Sequence, residues 1–236
     1  MSADLRPGVL FDVDGTLLDT NYLHSLAWSR ALRDAGEWAP MNAIHRLIGM
    51  GGDQLVEELL GHDSPAAQAG RRARYQELIA EVRVFPGAAE VLHLAHEAGL
   101  AVVLASSSPA DELAVLRERL GADDAIDAQT TADDVGSSKP DPEVFVQALH
   151  AGGVDPQRAL AVGDSIWDVR AARAAGVGCV AVESGGSSRH ELSEAGALVV
   201  YRDVDELRRQ FHTSVLGQLA RTAPGRRGRL FHRGGS

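Results

Sequence analysis

Short apolar runs alternate with segments of helical period along most of the chain. Apolar runs bounded by glycine, proline or serine predict buried parallel strands, and apolar residues spaced three and four apart predict helices. The predicted strands cover residues 9–11, 100–105, 125–129, 159–162, 179–182 and 198–201. The predicted helices between the later strands cover residues 88–98, 110–120, 143–151, 166–175 and 204–211. This alternation predicts an α/β fold with a doubly wound parallel sheet.

The segment that follows the first strand has a different pattern. An apolar stripe at helical spacing begins at Leu23, and no strand pattern returns before residues 84–85. Further helices are predicted over residues 43–48, 54–60 and 65–82. We therefore expect an inserted α-helical cap domain. The predicted domains are a catalytic core over residues 1–19 and 85–212, the cap over 20–84, and a basic, disordered tail over 213–236.

Composition narrows the class of protein. The 236 residues are 44% hydrophobic and 24% charged, and no apolar run approaches the roughly 20 residues that span a membrane. The first strand begins near residue 9, which leaves no room for a signal peptide, so we expect a cytoplasmic protein. Cys179 is the single cysteine and is predicted to be a buried strand residue. Composition leaves the oligomeric state open between monomer and dimer.

The charge distribution bears on possible partners. The net charge of −10 argues against general nucleic-acid binding. Residues 213–236 contain five arginines and no acid, so the tail is a basic arm that contacts RNA or an acidic partner, or simply a solvated end. We favour the solvated end.

The candidate chemistry begins where the first predicted strand ends, in the sequence Asp12-Val-Asp14-Gly15-Thr. Two carboxylates this close raise each other's proton affinity unless a cation or a shared proton offsets their charge. Mg²⁺ is commonly bound by one or two carboxylates together with phosphate oxygens of a substrate. Gly15 permits the sharp turn that follows. The stretch therefore predicts a Mg²⁺-dependent phosphoryl-transfer site.

Other strand ends carry groups that the same reaction needs. Ser106 ends one predicted strand, Asp164 follows another, and Lys139 precedes the helix between them. In a parallel sheet the ligand site lies at the carboxyl ends of the strands, so we expect these residues to converge on Asp12. A hydroxyl and an ammonium group would position the phosphoryl group and stabilise its charge.

Each residue can be given a role from its chemistry. Asp12 is the nucleophile that forms an aspartyl-phosphate, and Asp14 protonates the leaving oxygen and later takes a proton from water. An acid with a free pKa of roughly 3.9 needs burial or closure of the cap to raise that pKa. Lys139 pairs with the phosphoryl group or with the nucleophile, Ser106 donates a hydrogen bond to a phosphoryl oxygen, and Asp12 and Asp164 hold Mg²⁺. Asp168, one helical turn after Asp164, supports the metal's waters or Lys139.

The four motifs together resemble those of the haloacid dehalogenase-like superfamily, whose signature is Asp-x-Asp-Gly-Thr. The resemblance implies a Rossmann-like core, a Mg²⁺ ligand from the backbone carbonyl of Asp14, and phosphate-ester hydrolysis of a small metabolite. The helical cap resembles that of the phosphoglycolate phosphatase and β-phosphoglucomutase branch. Cap residues expected to select the substrate are His24, Arg46 and Gly51 of the loop 49–52.

Two other activities of the superfamily fit the sequence less well. Haloacid dehalogenases lack the second aspartate of the motif, because halide leaves without a proton, whereas Asp14 is present here. Phosphonoacetaldehyde hydrolysis needs a lysine from the cap, and Lys139 is the only lysine in the chain. A phosphatase therefore remains our first hypothesis.

Two alternatives stay open. His24 stands at the offset from Asp12 that the histidine of β-phosphoglucomutase occupies, which favours a hexose-phosphate mutase, although a role as hinge or helix-face residue is also open. Against a mutase, the cap has no lysine, Gly51 and Gly52 stand where an arginine is expected, and Ala110 replaces an asparagine. The other alternative is a receiver-like signalling domain phosphorylated on Asp12, which would need neither a lid nor Asp14.

Overall fold

The computed structural model describes residues 5–223. Its strands are β1 (Arg6–Phe11), β2 (Leu18–Asp19), β3 (Arg83–Val84), β4 (Ala101–Ala105), β5 (Ala128–Thr130), β6 (Val154–Gly163), β7 (Gly178–Val182) and β8 (Val199–Tyr201). Its α-helices are α1 (Asn21–Asp34), α2 (Met41–Arg46), α3 (Gly52–Leu60), α4 (Pro65–Gln76), α5 (Ala88–Glu97), α6 (Ala110–Leu120), α7 (Glu143–Gly152), α8 (Ile166–Ala174), α9 (Arg189–Ala195), α10 (Val204–Arg209) and α11 (Val215–Ala220).

Six strands form one parallel sheet in the order β5-β4-β1-β6-β7-β8. Because successive side chains of a strand point to opposite faces, Val9 and Leu10 of β1 belong to two different hydrophobic clusters. Helices α5, α6, α10 and α11 cover the face that includes Val9, and α7, α8 and α9 cover the other. The sheet is therefore doubly wound, as the apolar pattern predicted.

Helices α1 to α4 lie between β2 and β3, and we call this segment the helical insert. The chain leaves and re-enters the main fold through β2 and β3, which pair antiparallel with Leu18 opposite Val84. Within the insert, α1 packs along α4, and residues such as Trp28, Leu32 and Ile44 form a separate hydrophobic cluster. This cluster gives the insert apolar packing of its own.

Several elements differ from the prediction. Strand β6 begins at Val154, five residues earlier than predicted, and pairs there with Arg6 across an irregularity in the ladder. Strand β2 and helix α9 were not predicted from the sequence. Helix α4, predicted to extend to residue 82, ends at Gln76 and is followed by a 3₁₀ turn over Ile79–Glu81.

The start predicted for the disordered tail is also wrong. Residues 215–220 form α11, because Ser214 caps this helix and Leu216 is fully buried against the face of the sheet that includes Val9. The predicted tail from residue 224 onward lies outside the described residues. Within residues 5–223 no helix has the length and apolar character needed to cross a membrane.

Candidate active site

Four charged side chains meet at the carboxyl end of the central strand. Asp12 follows β1, and its Oδ1 lies 2.5 Å from Nζ of Lys139, which belongs to the loop before α7. The same Nζ lies 2.7 Å from Oδ1 of Asp168. Asp164 follows β6, and carboxylate oxygens of Asp12, Asp164 and Asp168 lie within 4.8 Å of one another. The convergence expected of Lys139, Asp164 and Asp12 is therefore present.

Asp168 is fixed by the start of helix α8. Its Oδ2 accepts hydrogen bonds from the backbone N of Ser165 at 3.1 Å and from Oγ of Ser165 at 2.5 Å, and the Ser165 hydroxyl accepts from the Asp168 amide in return. This capping box uses one carboxylate oxygen and leaves the other facing Lys139. Asp168 therefore orients the ammonium group that also contacts Asp12.

The cluster contains three carboxyl groups, those of Asp12, Asp164 and Asp168, and a single ammonium group, that of Lys139. Burial, reinforced by the neighbouring Asp168, raises the pKa of Asp12 well above its usual value and that of Asp164 to about 7. Burial disfavours the charge on Lys139, but Asp12 and Asp168 outweigh it and raise the pKa of the ammonium group. Raised carboxyl pKa values mark a place where a further cation is favourable, and the donors are hard oxygen atoms that suit Mg²⁺. Asp12 and Asp164 would hold the ion, with Asp168 beside them.

Metal binding to this cluster should stabilise the folded protein. We expect Mg²⁺ at about 100 times its dissociation constant to add about 2.7 kcal/mol to the free energy of unfolding, visible as a higher Tm. Asp164→Asn should remove most of that shift, and the exposed Asp124→Asn should keep it. Equal shifts in the wild-type protein and Asp164→Asn would contradict the assignment of this site.

Thr16 and Asn21 also contact the acids of the cluster, although neither was predicted from the sequence as a site residue. The Thr16 hydroxyl lies 3.2 Å from Oδ2 of Asp12 and 3.0 Å from Oδ1 of Asp164. Nδ2 of Asn21 donates to Oδ2 of Asp164 at 2.8 Å. Gly15, the residue before Thr16, has φ +78°, and a Cβ there would lie 2.4 Å from Nδ2 of Asn21. Glycine is therefore required at this turn for both conformation and space.

Asp14 has different partners from Asp12. Its Oδ1 lies 3.1 Å from Nε2 of His24 in the helical insert, and its Oδ2 accepts a hydrogen bond from Oγ of Ser108 at 2.9 Å. Burial alone would raise the pKa of Asp14, but the charge and hydrogen bond of His24 outweigh it and lower the pKa. The expectation of a raised pKa is therefore wrong for this arrangement, because the sequence did not show that His24 contacts Asp14.

His24 is held by two further residues of the insert. Its ring stacks on Tyr75 with 4.0 Å between ring centroids, and Nη1 of Arg71 lies 3.4 Å from its Nδ1. A carboxylate can only accept, so Nε2 of His24 carries the hydrogen that faces Asp14. The Arg71 guanidinium also lies 6.0 Å from the ring centroid of Trp28. His24 is therefore a buried contact of Asp14 and not only a residue of the helix face.

A cavity of about 120 Å³ opens between the carboxyl end of the sheet and the helical insert. Its lining from the main fold is Asp12, Asp14, Ser107, Ser108, Lys139, Asp164 and Asp168. Its lining from the insert is Asn21, His24, Trp28, Ile48, Gly49, Met50, Leu55 and Arg71. The polar wall of the main fold thus faces a mixed wall, in which apolar side chains lie beside Asn21, His24 and Arg71.

Three predicted site residues lie outside this cavity's lining. The Ser106 hydroxyl accepts a hydrogen bond from the Ser108 amide at 3.0 Å, so it shapes the loop whose next two serines reach the cavity. Arg46 instead pairs with Glu191 at 2.7 Å. Gly51 lines a neighbouring cavity with Ser138, next to Lys139 in sequence.

Gly51 allows the insert to approach the loop that carries Lys139. A Cβ at Gly51 would lie 2.6 Å from Cβ of Ser138, although its φ of −59° suits any residue. We expect Gly51→Ala to force the two loops apart and to cost about 1–3 kcal/mol of stability. Gly70→Ala is the matched control, since its Cβ would meet nothing closer than 3.6 Å. Thermal unfolding compares the two, and equal stability would contradict the close contact.

Comparisons with known proteins agree with this geometry. A family model described as haloacid dehalogenase-like hydrolase matches residues 7–176. Validoxylamine A 7'-phosphate phosphatase of Streptomyces hygroscopicus subsp. limoneus is 31% identical over 206 residues, which cover 84% of this chain and 94% of that protein. Phosphoglycolate phosphatase of Rhodospirillum rubrum is 33% identical over 219 residues, which cover 84% of this chain and 88% of that protein.

A comparison with a solved structure supports the same family. The crystal structure of a hydrolase from Pseudomonas syringae has a TM-score of 0.82 and 33% sequence identity, and the match covers 88% of this chain and 99% of that chain. The family predicted from the four motifs is thus confirmed by a model that matches most of the chain and by relatives of similar length. This chain belongs to the haloacid dehalogenase-like hydrolase family.

Proposed function

We propose that this hydrolase removes the phosphate group from a small phosphomonoester through an aspartyl-phosphate on Asp12, with Mg²⁺ bound beside it. The observation that carries the proposal is the buried cluster around Asp12, in which one lysine and two further carboxylates lie at the end of the central strand. The names of the phosphatases to which the chain is similar support the same class of reaction.

The first half of the reaction would transfer the phosphoryl group to Asp12. A carboxylate oxygen of Asp12 attacks phosphorus, the bond from phosphorus to the ester oxygen breaks, and the alcohol leaves with a proton. Lys139 neutralises negative charge next to the attacking carboxylate. Ser107 and Ser108 line the cavity where the phosphoryl oxygens would lie, and Ser106 acts through its hydrogen bond to the Ser108 amide. Bound Mg²⁺ would offset the charge of the carboxylates and the phosphoryl group.

Asp14 would handle protons in both halves of the reaction. His24 and Ser108 hold its carboxylate at the cavity, separately from the cluster around Asp12. With a lowered pKa, Asp14 is ready to accept a proton from the water that attacks the aspartyl-phosphate. Donation to the leaving oxygen in the first half requires that Asp14 first takes up a proton from solvent, and His24 and Ser108 would hold the carboxyl group in place for that step. Two neighbouring carboxyls in different environments suit two different roles.

The helical insert would act as a cap over this chemistry. Residues 20–84 would cover the cavity from one side, while the catalytic core that the sequence predicts over residues 1–19 and 85–212 would also include α11. The contacts of Asn21 with Asp164 and of His24 with Asp14 support this division, because both join the insert to the acids of the core. A cytoplasmic location remains the expectation from sequence.

A mutase is the second candidate, and the contact of His24 with Asp14 favours it. A mutase must also bind the distal phosphate of its substrate, and Arg71 is the only lysine or arginine from the insert among the residues that line this cavity. A sugar 1-phosphate separates the two activities, since a mutase yields the 6-phosphate and a phosphatase yields free phosphate. The family match is to hydrolases, so it gives no support to the receiver-like alternative.

A panel of some dozens of phosphate esters, assayed with Mg²⁺ for released phosphate, tests the proposed function. It should include phosphoglycolate, sugar phosphates and p-nitrophenyl phosphate. We expect metal-dependent release of phosphate from at least one small ester, and none after chelation of Mg²⁺. Failure to hydrolyse any ester, p-nitrophenyl phosphate included, would overturn the proposal.

A further inference from the structure

The first helix of the insert contacts two acids of the main fold with one face. Asn21 is the first residue of α1, and its Nδ2 lies 2.8 Å from Oδ2 of Asp164. His24, three residues later, lies 3.1 Å from Oδ1 of Asp14. Residues three apart on a helix lie on the same face. The orientation of α1 therefore sets the direction of both contacts.

The amide group of Asn21 joins the insert to two acceptors of the main fold. Besides Asp164, its Nδ2 lies 3.2 Å from the carbonyl oxygen of Gly185, in the turn that follows β7. Carboxylate and carbonyl oxygens only accept hydrogen bonds, so the amide nitrogen must face both. Oδ1 of Asn21 has no hydrogen-bond partner among residues 5–223. The contacts of this side chain with the main fold are therefore made by its donors.

Two glycines make room for the contact between Asn21 and Asp164. A Cβ at Gly15 would lie 2.6 Å from Oδ2 of Asp164, and a Cβ at Gly185 would overlap the same oxygen. Ser184 joins the two glycine loops, because its hydroxyl donates to the carbonyl oxygen of Gly15 at 2.7 Å. Asn21 and Asp164 are only 5% and 2% exposed. The two side chains are therefore in direct, buried contact.

Thr16 contacts Asp164 from the main fold. Its hydroxyl lies 3.0 Å from Oδ1 of Asp164 and 3.2 Å from Oδ2 of Asp12. A hydroxyl has a single hydrogen, which these two carboxylates must share. The amide of Asn21 has two hydrogens for its two acceptors. The orientation of Asp164 therefore depends on the insert at least as much as on the main fold.

We propose that Asn21 is a positioning residue that couples the binding of Mg²⁺ to closure of the helical insert. This inference rests on the proposed function, in which Asp12 and Asp164 hold the ion. The amide of Asn21 can orient Asp164 only while α1 lies against the main fold, so the closed protein binds Mg²⁺ more tightly than an open one. Coupling of this kind is reciprocal, and the bound ion therefore favours closure of the insert.

Calorimetric titration of the metal-free protein with Mg²⁺ tests the effect of Asn21 on the metal. Asn21→Leu keeps the shape of the side chain and removes its donors. We expect its dissociation constant for Mg²⁺ to rise about 10- to 100-fold, the range for a hydrogen bond to a charged group. Asn42→Leu makes the same change at an exposed residue of the insert and should stay within about 2-fold of the wild type. A change in Asn21→Leu no larger than that of Asn42→Leu would overturn the proposal.

A distance between two spin labels tests the effect of the metal on the insert. Cys179 is the single cysteine and is buried, so labels can be attached to introduced cysteines. Glu58 of α3 and Glu194 of α9 are exposed residues of the insert and of the main fold. In the protein with Glu58→Cys and Glu194→Cys, saturating Mg²⁺ should shift the distances measured by pulsed electron paramagnetic resonance toward one closed population. Distances that do not respond to Mg²⁺ would overturn the coupling.

A pair of variants separates this coupling from a simple loss of metal affinity. Asn21→Leu and Thr16→Val each remove a donor to Asp164, one from the insert and one from the main fold. At Mg²⁺ concentrations that fill the site of each variant, Thr16→Val should show the wild-type shift in distances and Asn21→Leu should show none. A wild-type shift in Asn21→Leu, or loss of the shift in both variants, would overturn the proposed route through Asn21.

Asn21→Ala keeps the test valid if the leucine variant does not fold. It leaves space in which water can hydrogen-bond to Asp164 and to the carbonyl oxygen of Gly185, so these acceptors are not left unpaired. Thermal unfolding without Mg²⁺ checks the fold of each variant. Asn21→Ala should also lose the Mg²⁺-dependent shift in distances, and a wild-type shift in this variant would overturn the proposal.

Neither measurement depends on hydrolysis, so the outcomes separate this inference from the proposed function. If the wild-type protein hydrolyses esters and Asn21→Leu binds Mg²⁺ and closes as the wild type does, the inference alone fails. If the wild-type protein does not bind Mg²⁺, both fail. If it hydrolyses no ester but binds Mg²⁺ and closes through Asn21, the proposed hydrolysis fails and the coupling stands.

Discussion

Asp12→Asn should abolish phosphatase activity while leaving the protein folded. An amide oxygen is a far weaker nucleophile than a carboxylate, so we expect a loss of about 10⁴-fold or more in kcat. The fold should survive because Asp12 lies within a cluster of like charges, and the substitution relieves part of their repulsion. Steady-state hydrolysis of p-nitrophenyl phosphate with Mg²⁺ measures the loss.

Asp124→Asn provides the control for this experiment, since it makes the same chemical change at an exposed residue that does not line the cavity. It should retain the wild-type rate. Residual activity of Asp12→Asn within about 100-fold of the wild type, with a normal Tm, would mean that another group attacks phosphorus.

Lys139→Ala should have the second largest effect. Its ammonium group is buried between Asp12 and Asp168, so the substitution removes the positive charge beside the attacking carboxylate. We expect a loss of about 10²- to 10⁴-fold in kcat, because preorganised charge at the reacting group supplies much of catalysis. The chain has no other lysine that could take its place.

The same substitution should destabilise the metal-free protein. Removal of one partner from a buried ion pair leaves uncompensated charge and costs about 3–5 kcal/mol. Mg²⁺ should restore part of that stability, since the ion would offset the same carboxylates. Lys139→Met keeps the length of the side chain and should lose as much activity. A rate within about tenfold of the wild type for either variant would contradict the role of Lys139.

The architecture could be predicted wherever the local pattern and the tertiary fold agree. Strands β4 and β7 are short apolar runs between turn residues, and α6 begins and ends at the predicted residues. The start of β6 was missed because Pro156 interrupts the apolar pattern there. Strand β6 nevertheless continues back to Val154, whose pairing with Arg6 depends on a neighbouring strand that sequence does not show.

Two short helices that bury few side chains were also not predicted from the sequence. Helix α9 buries only Leu192 and α11 mainly Leu216, so neither shows a clear apolar stripe. The starts of both did carry a signal, since Ser188 and Ser214 cap them. The arginines that follow α11 gave that region the composition of a disordered tail.

Some residues of the candidate site could be identified from the sequence, and others could not. Asp12, Asp164 and Lys139 could be identified because parallel strands bring their carboxyl ends to one edge of the sheet. The contacts of Arg71 with His24 and Trp28 depend on how α4 packs against α1, which no local pattern records. Arg46 was predicted to select the substrate, but its side chain pairs with Glu191 and does not line the cavity.

The central claim is that the side chain of residue 12 becomes esterified by phosphate during turnover. The most direct test uses Asp14→Asn with p-nitrophenyl phosphate, because this leaving group needs no proton while the second half of the reaction does. Rapid acid quench followed by mass spectrometry should find one phosphoryl group per released p-nitrophenolate in the first turnover, attached to Asp12. A burst of p-nitrophenolate with the phosphoryl group on another residue, or with none bound to the protein, would contradict the account.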